Sequence, residues 1–328
     1  MSQSRKVYPE AIRIVAILVV IFNHTDGFIY YSVTDNRLTW LYSIVLAVLC
    51  RTAVPLFFMV SGALLLDKEE SLKTLLCKRV LRIVLMLIIV SVLYYLFDIA
   101  RGRIPEAGIS DFAGRILNNG IRDSFWFLYV YLIFLLSVPF LRKLAPGMSG
   151  TLIIYLICLK GISVWFDIEI TCDYIYYGLM GYYLTHQGET AIKKIKGTTL
   201  WISVVVLTVL GVGIMQLMYR RTGSYEPINL DMLIFLLTPA VWLLCRHVTE
   251  RLSEKSKISA LILGLGSCVF GIYLFDNFVR WQFLPVYLYL SDKTVGVFAN
   301  SIYVALVFVT GGIYTWILKR IPLLGKLI

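Results

Sequence analysis

Long apolar runs recur along this chain and constrain its fold more than any other feature. Each run has about 17–25 residues, enough for a helix to cross a hydrocarbon core of roughly 30 Å. In lipid only helices and closed barrels satisfy their own backbone hydrogen bonds, and runs of this length indicate helices. We predict ten membrane spans, within a range of nine to eleven because the sixth is short, at 9–31, 40–66, 75–99, 124–141, 150–167, 172–186, 199–219, 229–246, 258–280 and 297–318.

The composition agrees with a protein that is mostly embedded in a bilayer. Of 328 residues, 59% are hydrophobic and 16% charged, whereas a soluble domain has roughly 45–50% and about 25%. The six cysteines are scattered without a CxxC pair, so we expect neither a disulfide framework nor a metal site. The sequence therefore predicts an all-α, polytopic transmembrane bundle in which residues 1–328 form a single domain.

The distribution of basic residues orients the bundle. With the N-terminus inside, 19 of the 31 lysines and arginines fall in cytoplasmic segments and nine in outer segments. This bias is the one that the positive-inside rule describes, and it predicts that both termini are cytoplasmic. The outer segment 100–123, with four arginines, fits the rule least well. The net charge of +11 then indicates contact with anionic lipid and not with nucleic acid.

Two ionisable residues in the first span are candidates for function, because such residues are costly inside a membrane. Arg13 and His24 are eleven positions apart, which is three helical turns plus about 20°, so both side chains share a face about 16 Å apart along the axis. An alternative interpretation is structural: Arg13 extends to the inner headgroups, and His24 pairs with a polar group of a neighbouring helix.

A basic cluster opens the third span. Arg79 and Arg82 are three residues apart and project to one side of a helix, with Lys78 beside them. Ordinary positive-inside charge would account for them. However, Arg82 already lies within the apolar run, and a guanidinium cluster that faces the interior of a bundle suits a bound phosphate.

These residues resemble the motifs of the acyltransferase-3 family of bacterial integral-membrane acyltransferases. That family has about ten spans, an Arg/Lys-x10-His motif in the first and an Arg/Lys-x-x-Arg motif at the start of the third, matched here by Arg13 to His24 and by Arg79 to Arg82. Further similar stretches are 54–62, 125–129 and 270–275. The sequence departs from the family at Asp276, where a histidine is common, and the role of that histidine is therefore in doubt for this chain.

The resemblance implies transfer of an acyl group, usually acetyl, from cytoplasmic acyl-CoA to a hydroxyl of an extracytoplasmic glycan or glycolipid. It places the protein in the bacterial plasma membrane. His24 is the candidate general base, or alternatively a nucleophile that carries the acyl group, and Asn23 or Asp26 would orient its ring. The basic residues that would neutralise the phosphates of CoA are Arg13, Lys78, Arg79 and Arg82.

Other residues carry weaker expectations. Trp126 and Tyr129 are candidates for stacking on a sugar, although an interfacial aromatic belt is the more usual explanation of such residues. Lys160 should pair with Asp98 or Asp276 inside the bundle. Ser61-Gly62 should allow close helix packing, and Gly264, Gly266 and Gly271 favour a bend or a close approach in the ninth span. The rival function is a transporter or flippase of a lipid-linked glycan, but we find no internal repeat of the kind that many transporters contain.

Overall fold

A computed structural model describes residues 6–25, 36–165, 173–225, 230–253 and 256–328. Every regular element in these ranges is helical, as the sequence predicts. The helices longer than one turn are α1 (Val7–Asn23), α2 (Arg37–Cys50), α3 (Ala53–Leu65), α5 (Leu81–Ala100), α6 (Ile109–Leu117), α7 (Trp126–Leu144), α8 (Gly150–Trp165), α9 (Asp173–His186), α11 (Gly197–Thr222), α12 (Asp231–Thr249), α13 (Lys257–Gly266), α14 (Val269–Lys293), α15 (Gly296–Leu318) and α16 (Pro322–Leu327), with the short α4 (Leu72–Thr74) and α10 (Glu189–Ile192) between them.

Six helical segments within the described ranges are long and apolar enough to cross a bilayer. They are Arg37–Leu65, Leu72–Ala100, Asp123–Gly147, Gly197–Thr222, Asp231–Thr249 and Gly296–Leu318. The bent pair α13 and α14 makes a seventh if it is one span. The remaining three predicted spans correspond to the shorter helices α1, α8 and α9. The chain is therefore a multi-pass helical membrane protein, while the number of ten spans stays a prediction.

Helix α1 lies at the centre of the bundle and ends earlier than predicted. It packs against α2, α3 and α12 through α15, and Ile12, Ala16 and Ile17 are fully buried. The predicted span 9–31 continued through His24, but α1 ends at Asn23, and His24 is its C-terminal cap. Residues 26–31 of the predicted span lie outside the described residues. The polar run that follows the apolar part of this segment ends the helix. His24 therefore lies at a helix end and not within the helix.

One proline and one glycine explain the break and the close packing of the second span. Pro55 has no N–H to donate to the carbonyl of Arg51, and the helix breaks at Arg51–Thr52 between α2 and α3. Further along α3, a Cβ atom on Gly62 would overlap the carbonyl oxygen of Gly178 in α9. The predicted close packing at Ser61-Gly62 is thus confirmed.

The predicted bend in the ninth span is also confirmed. Helices α13 and α14 meet at an angle of 61°. Lys319 donates from Nζ to the carbonyl oxygen of Ser267 at 2.5 Å, and so provides a donor to a carbonyl at the end of α13. Gly266, immediately before the bend, lies directly against Glu10 of α1 and has no room for a Cβ atom. The bend brings α13 and α14 against α1.

The expected partner of Lys160 is wrong. Its ammonium group is 2.7 Å from Asp173 and 3.6 Å from Asp231, which begin α9 and α12. Asp98 instead pairs with Arg122 at 2.7 Å. A buried ammonium needs a carboxylate within reach, and for α8 the starts of α9 and α12 supply it.

Candidate functional site

A cavity of about 480 Å³ opens at the end of the bundle where α1 and α5 begin. We call it the arginine cavity, because four basic side chains and one acidic side chain, Glu70, line it. The four basic residues are Arg13, Lys78, Arg79 and Arg82, the set that the sequence grouped as phosphate ligands. The structure therefore brings together residues from the first and third predicted spans, which no sequence spacing connects.

The basic cluster lies partly in an irregular helical turn. Residues Leu75–Val80, which include Lys78 and Arg79, form a π-helical turn between α4 and α5, and such turns are frequent at functional sites. Arg79 Nε donates to Glu70 Oε2 at 2.9 Å. The same oxygen accepts from Arg142 Nη2 at 3.2 Å. The Arg79 guanidinium lowers the pKa of the Glu70 carboxyl below its ordinary value, with Arg142 adding to the effect.

Arg82 is engaged by the last residues of the chain. Its Nε donates to the carbonyl oxygen of Leu327 and its Nη2 to that of Ile328, both at 2.7 Å. Ile328 is buried and lines the arginine cavity. The guanidinium therefore makes with two backbone oxygens the kind of two-point contact that it would make with a phosphate.

Arg13, from α1, also lines the arginine cavity. Its Nη1 donates to Glu10 Oε1 at 2.8 Å, one turn earlier in α1. Glu10 is 3% exposed, whereas the Arg13 side chain is 29% exposed. The carboxylate is thus buried behind the guanidinium, and Arg13 is held with its outer edge toward the open cavity.

An aromatic wall leads from the arginine cavity toward the middle of the bundle. Phe57, Phe127, Tyr131 and Tyr273 line it, and the rings of Phe127 and Tyr131 stack at 5.7 Å. The Tyr273 hydroxyl donates to the carbonyl oxygen of Ser124 at 2.5 Å. Tyr273 is on α14, so the residues one turn later in this helix lie next to the aromatic wall.

That next turn carries Asp276, which pairs with His24. The distance from His24 Nδ1 to Asp276 Oδ2 is 2.5 Å, across 252 residues of sequence. The aspartate is 1% exposed and the histidine 18% exposed, so the carboxylate is buried behind the ring. If Nδ1 carries the proton that it shares with the carboxylate, Nε2 is left as an acceptor. We call His24 and Asp276 the dyad.

Arg280, one turn after Asp276 in α14, contacts both residues of the dyad. Its Nε is 3.6 Å from Asp276 Oδ2, and its Nη1 donates to the backbone carbonyl oxygen of His24. That carbonyl stands at the end of α1, where helical carbonyls lack an intrahelical donor. Arg280 therefore fixes the end of α1 to α14 and places a second cation beside the buried carboxylate.

The two predicted sugar-binding residues, Trp126 and Tyr129, belong neither to the dyad nor to the lining of the arginine cavity. Asp26 is outside the described residues. Trp126 is 39% exposed, and its ring lies 6.2 Å from that of Tyr174. The Tyr129 hydroxyl donates to the carbonyl oxygen of Ile116 at 2.5 Å, and so attaches α6 to α7. Sugar stacking by Trp126 and Tyr129 stays a prediction.

Sequence reasoning missed the partners of the predicted residues. Asp276 stood out as a departure from a family motif, but spacing could not place it beside His24. Arg280 was counted only among the outer basic residues, although its i+4 relation to Asp276 could have indicated a pair. Glu70 lies in a loop between two spans and carried no periodic signal.

Comparison with known proteins identifies a family. A family model described as an acyltransferase domain matches residues 6–320, nearly the whole chain. The matched range includes the dyad and the four basic residues of the arginine cavity. The chain matches no curated protein and no solved structure.

Proposed function

Because the chain belongs to the acyltransferase-3 family and is a multi-pass membrane protein, it is a membrane acyltransferase, and we propose that it uses acyl-CoA as the donor. The acyl group, usually acetyl in this family, would pass to a hydroxyl of an extracytoplasmic glycan or glycolipid. The observation that carries this proposal is the pairing of His24 with buried Asp276, one turn of α14 beyond a cavity lined by four basic residues.

The arginine cavity supplies the chemistry that the donor needs. Acyl-CoA carries several phosphates and a thioester at the end of a long flexible arm. Arg79 and Arg13 present guanidinium groups that suit phosphate oxygens, and Lys78 adds a point charge. With the phosphates bound at this end of the bundle, the arm would follow the aromatic wall past Tyr273 toward the dyad.

The dyad supplies the proton transfer. Asp276 accepts from Nδ1 of His24 and fixes the ring, so that Nε2 takes the proton of the acceptor hydroxyl as its oxygen attacks the thioester carbonyl carbon. The carbon–sulfur bond then breaks, and the imidazolium returns the proton to the departing thiolate. Alternatively, Nε2 attacks the thioester carbonyl carbon, the carbon–sulfur bond breaks and the CoA thiolate leaves, so that the ring carries the acyl group. The acceptor oxygen then attacks the acyl carbon, the bond to Nε2 breaks, and the proton of the hydroxyl passes to the thiolate.

We place the arginine cavity on the cytoplasmic side of a bacterial plasma membrane, with both termini cytoplasmic. The distribution of basic residues supports this orientation, and cytoplasmic acyl-CoA requires it. Single-cysteine labelling at Lys194 and at Arg221 tests the proposal. Position 194 should be protected from a membrane-impermeant reagent in intact cells, while position 221 should react. The reverse pattern would invert the orientation.

The reaction itself is tested with radiolabelled acetyl-CoA. Purified protein in proteoliposomes is incubated with the labelled donor and with cell-envelope glycans, and the label is followed by chromatography. We expect label on a glycan hydroxyl as an ester that mild alkali removes. A transporter or flippase would move the glycan without labelling it, so glycan transport without an acylated product would overturn the proposal.

A further inference from the structure

A second, chemically different cavity lies on the flank of the bundle. It has a volume of about 350 Å³ and lies between α5, α14 and α15, within the roughly 300–1,000 Å³ of ordinary ligand sites. We call it the flank groove. Its lining is almost wholly apolar and includes Leu93, Phe97, Phe275, Phe278 and Ile317. Leu93 and Ile317 are about half exposed, at 51% and 49%, so the groove opens sideways toward the bilayer.

One cation stands at the rim of the flank groove. Arg101 directly follows α5, and its guanidinium lies 3.7 Å from the ring centroid of Trp281 and 5.5 Å from that of Phe97. The two rings contact each other at 5.5 Å, and Phe97 belongs to the groove wall. Stacking uses the flat face of a guanidinium and leaves the N–H groups at its edge free to bind an anion.

Arg101 differs from the other arginines of the same segment. Arg103 and Arg122 both pair with Asp98, at 3.4 and 2.7 Å, and Arg115 pairs with Asp111 at 2.8 Å. Within the described part of the chain, no carboxylate lies within 4.0 Å of the Arg101 nitrogens. Three of these four arginines thus have a carboxylate partner, two of them sharing Asp98, whereas Arg101 stacks beside the groove wall without one.

The flank groove is separated from the dyad by Tyr94. This side chain lines the groove and is 4% exposed. Its hydroxyl donates to the carbonyl oxygen of Leu274 at 3.1 Å and accepts from the backbone N–H of Phe278 at 3.2 Å. Tyr94 therefore inserts into the hydrogen-bond ladder of α14 around Asp276, so the groove wall is rigidly attached to the helix that carries the dyad aspartate.

We propose that the flank groove binds one anionic phospholipid of the bilayer, with an acyl chain between α5, α14 and α15 and with its phosphate on the edge of Arg101. An apolar chain alone gains little by moving from lipid to protein, because both surroundings are apolar. The cation provides the selectivity, since only a lipid with a net negative headgroup leaves the Arg101 charge compensated. This site is distinct from the arginine cavity and does not depend on the proposed reaction.

Native mass spectrometry of the delipidated, detergent-solubilised protein tests this proposal. Phosphatidylglycerol and phosphatidylcholine with identical chains serve as probes, and glycerol 3-phosphate serves as the headgroup without a tail. We expect phosphatidylglycerol to bind at least about tenfold more tightly than phosphatidylcholine, as one charge-assisted contact implies. Glycerol 3-phosphate should not compete with it.

Two variants and their matched controls locate the site. Arg101→Gln should abolish the preference for phosphatidylglycerol, whereas Arg221→Gln, an exposed arginine on α11, should preserve it. Leu93→Trp fills the groove and should weaken the binding of both lipids. Leu96 is about equally exposed on α5 but lies outside the groove, so Leu96→Trp should leave the binding of both lipids unchanged.

Several results would overturn the proposal. Equal binding of the two lipids would show that the groove does not select for an anionic headgroup. An equal loss of preference in the Arg101→Gln and Arg221→Gln variants would attribute the preference to general surface charge. Competition by glycerol 3-phosphate would assign the contact to a free phosphate site. A dimer in the wild-type protein that Leu93→Trp dissociates would assign the groove to a second copy of the chain.

Discussion

Replacing Asp276 by Asn is the most informative single change in the dyad. It keeps the size of the side chain and removes the charge that lies 2.5 Å from His24 Nδ1. An amide can donate as well as accept, so it no longer forces the proton onto Nδ1 and leaves Nε2 protonated in part of the molecules. Loss of a correctly placed base costs typically 10²–10⁴-fold, which is roughly 3–5.5 kcal/mol of transition-state stabilisation.

The effect on binding and folding should be much smaller. The phosphate ligands lie in the arginine cavity, and the cavity lining does not include Asp276, so donor binding should be unchanged. Arg280 loses a carboxylate 3.6 Å away, and removal of one partner of a buried pair costs up to about 3–5 kcal/mol. Asn retains the volume and one acceptor, so we expect a lower thermal midpoint in a protein that still folds.

The assay measures kcat for transfer of labelled acetyl in proteoliposomes, with donor affinity from calorimetry and folding from thermal unfolding. Asp98→Asn is the matched control. It removes another buried carboxylate, the partner of Arg122 at 2.7 Å, outside the dyad. We expect Asp276→Asn to lower kcat at unchanged donor affinity, and Asp98→Asn to lower only stability. A folded Asp276→Asn protein with wild-type kcat, or an equal loss of kcat in the control, would refute the role of the carboxylate.

Three further predictions concern the arginine cavity. Replacing Arg79 by Ala should weaken acyl-CoA binding by roughly 10–100-fold, since a charge-assisted contact is worth about 1.5–3 kcal/mol. Lys73→Ala, which removes an exposed charge of the same segment, is the control. Equal acyl-CoA affinities of the two variants in calorimetry would show that Arg79 does not bind the donor and only contributes to the orientation of the span. Removing residues 322–328 should raise donor affinity, because the two carbonyl oxygens bound to Arg82 no longer compete; weaker binding would instead make this segment part of the donor site. Glu70 has a lowered pKa in the fold, so its ion pairs stabilise the protein fully above the unfolded value of about 4.3, and this contribution is lost as pH falls through the lower, folded-state pKa. Thermal unfolding should therefore separate wild type from Glu70→Gln near neutral pH and not in strong acid, and a pH-independent difference would contradict this assignment.

The sequence predicted those parts of the fold and site that depend on local periodicity. Apolar runs located the helices, and the spacing of Arg79 and Arg82 placed both side chains toward one cavity. Arg13 lines the arginine cavity together with residues of α13 and α14, and His24 pairs with Asp276 of α14. The bend next to Gly266 and the close approach at Gly62 also follow from residues whose small size has a direct geometric consequence.

Long-range pairing could not be predicted in the same way. Periodicity gives the face of a helix but not which helix it meets, so the sequence named Asn23 or Asp26 as the residue that orients His24, whereas the structure pairs the ring with Asp276. The same limit made the expected partner of Lys160 wrong, since several aspartates were available and only the packing of α8 selects Asp173 and Asp231 among them. The early end of α1 depends on the polar residues after Phe22, which a hydropathy window averages away.

The central claim is that His24 performs or mediates the chemistry of acyl transfer. Its most direct test is the yield of labelled glycan from proteoliposomes that contain wild-type protein or His24→Ala, with donor binding measured on the same samples. The account predicts a loss of at least about 10²-fold in product, with acyl-CoA still bound, because the arginine cavity does not include His24. Near-wild-type acylation by His24→Ala would contradict the account and reduce the dyad to a structural contact between α1 and α14.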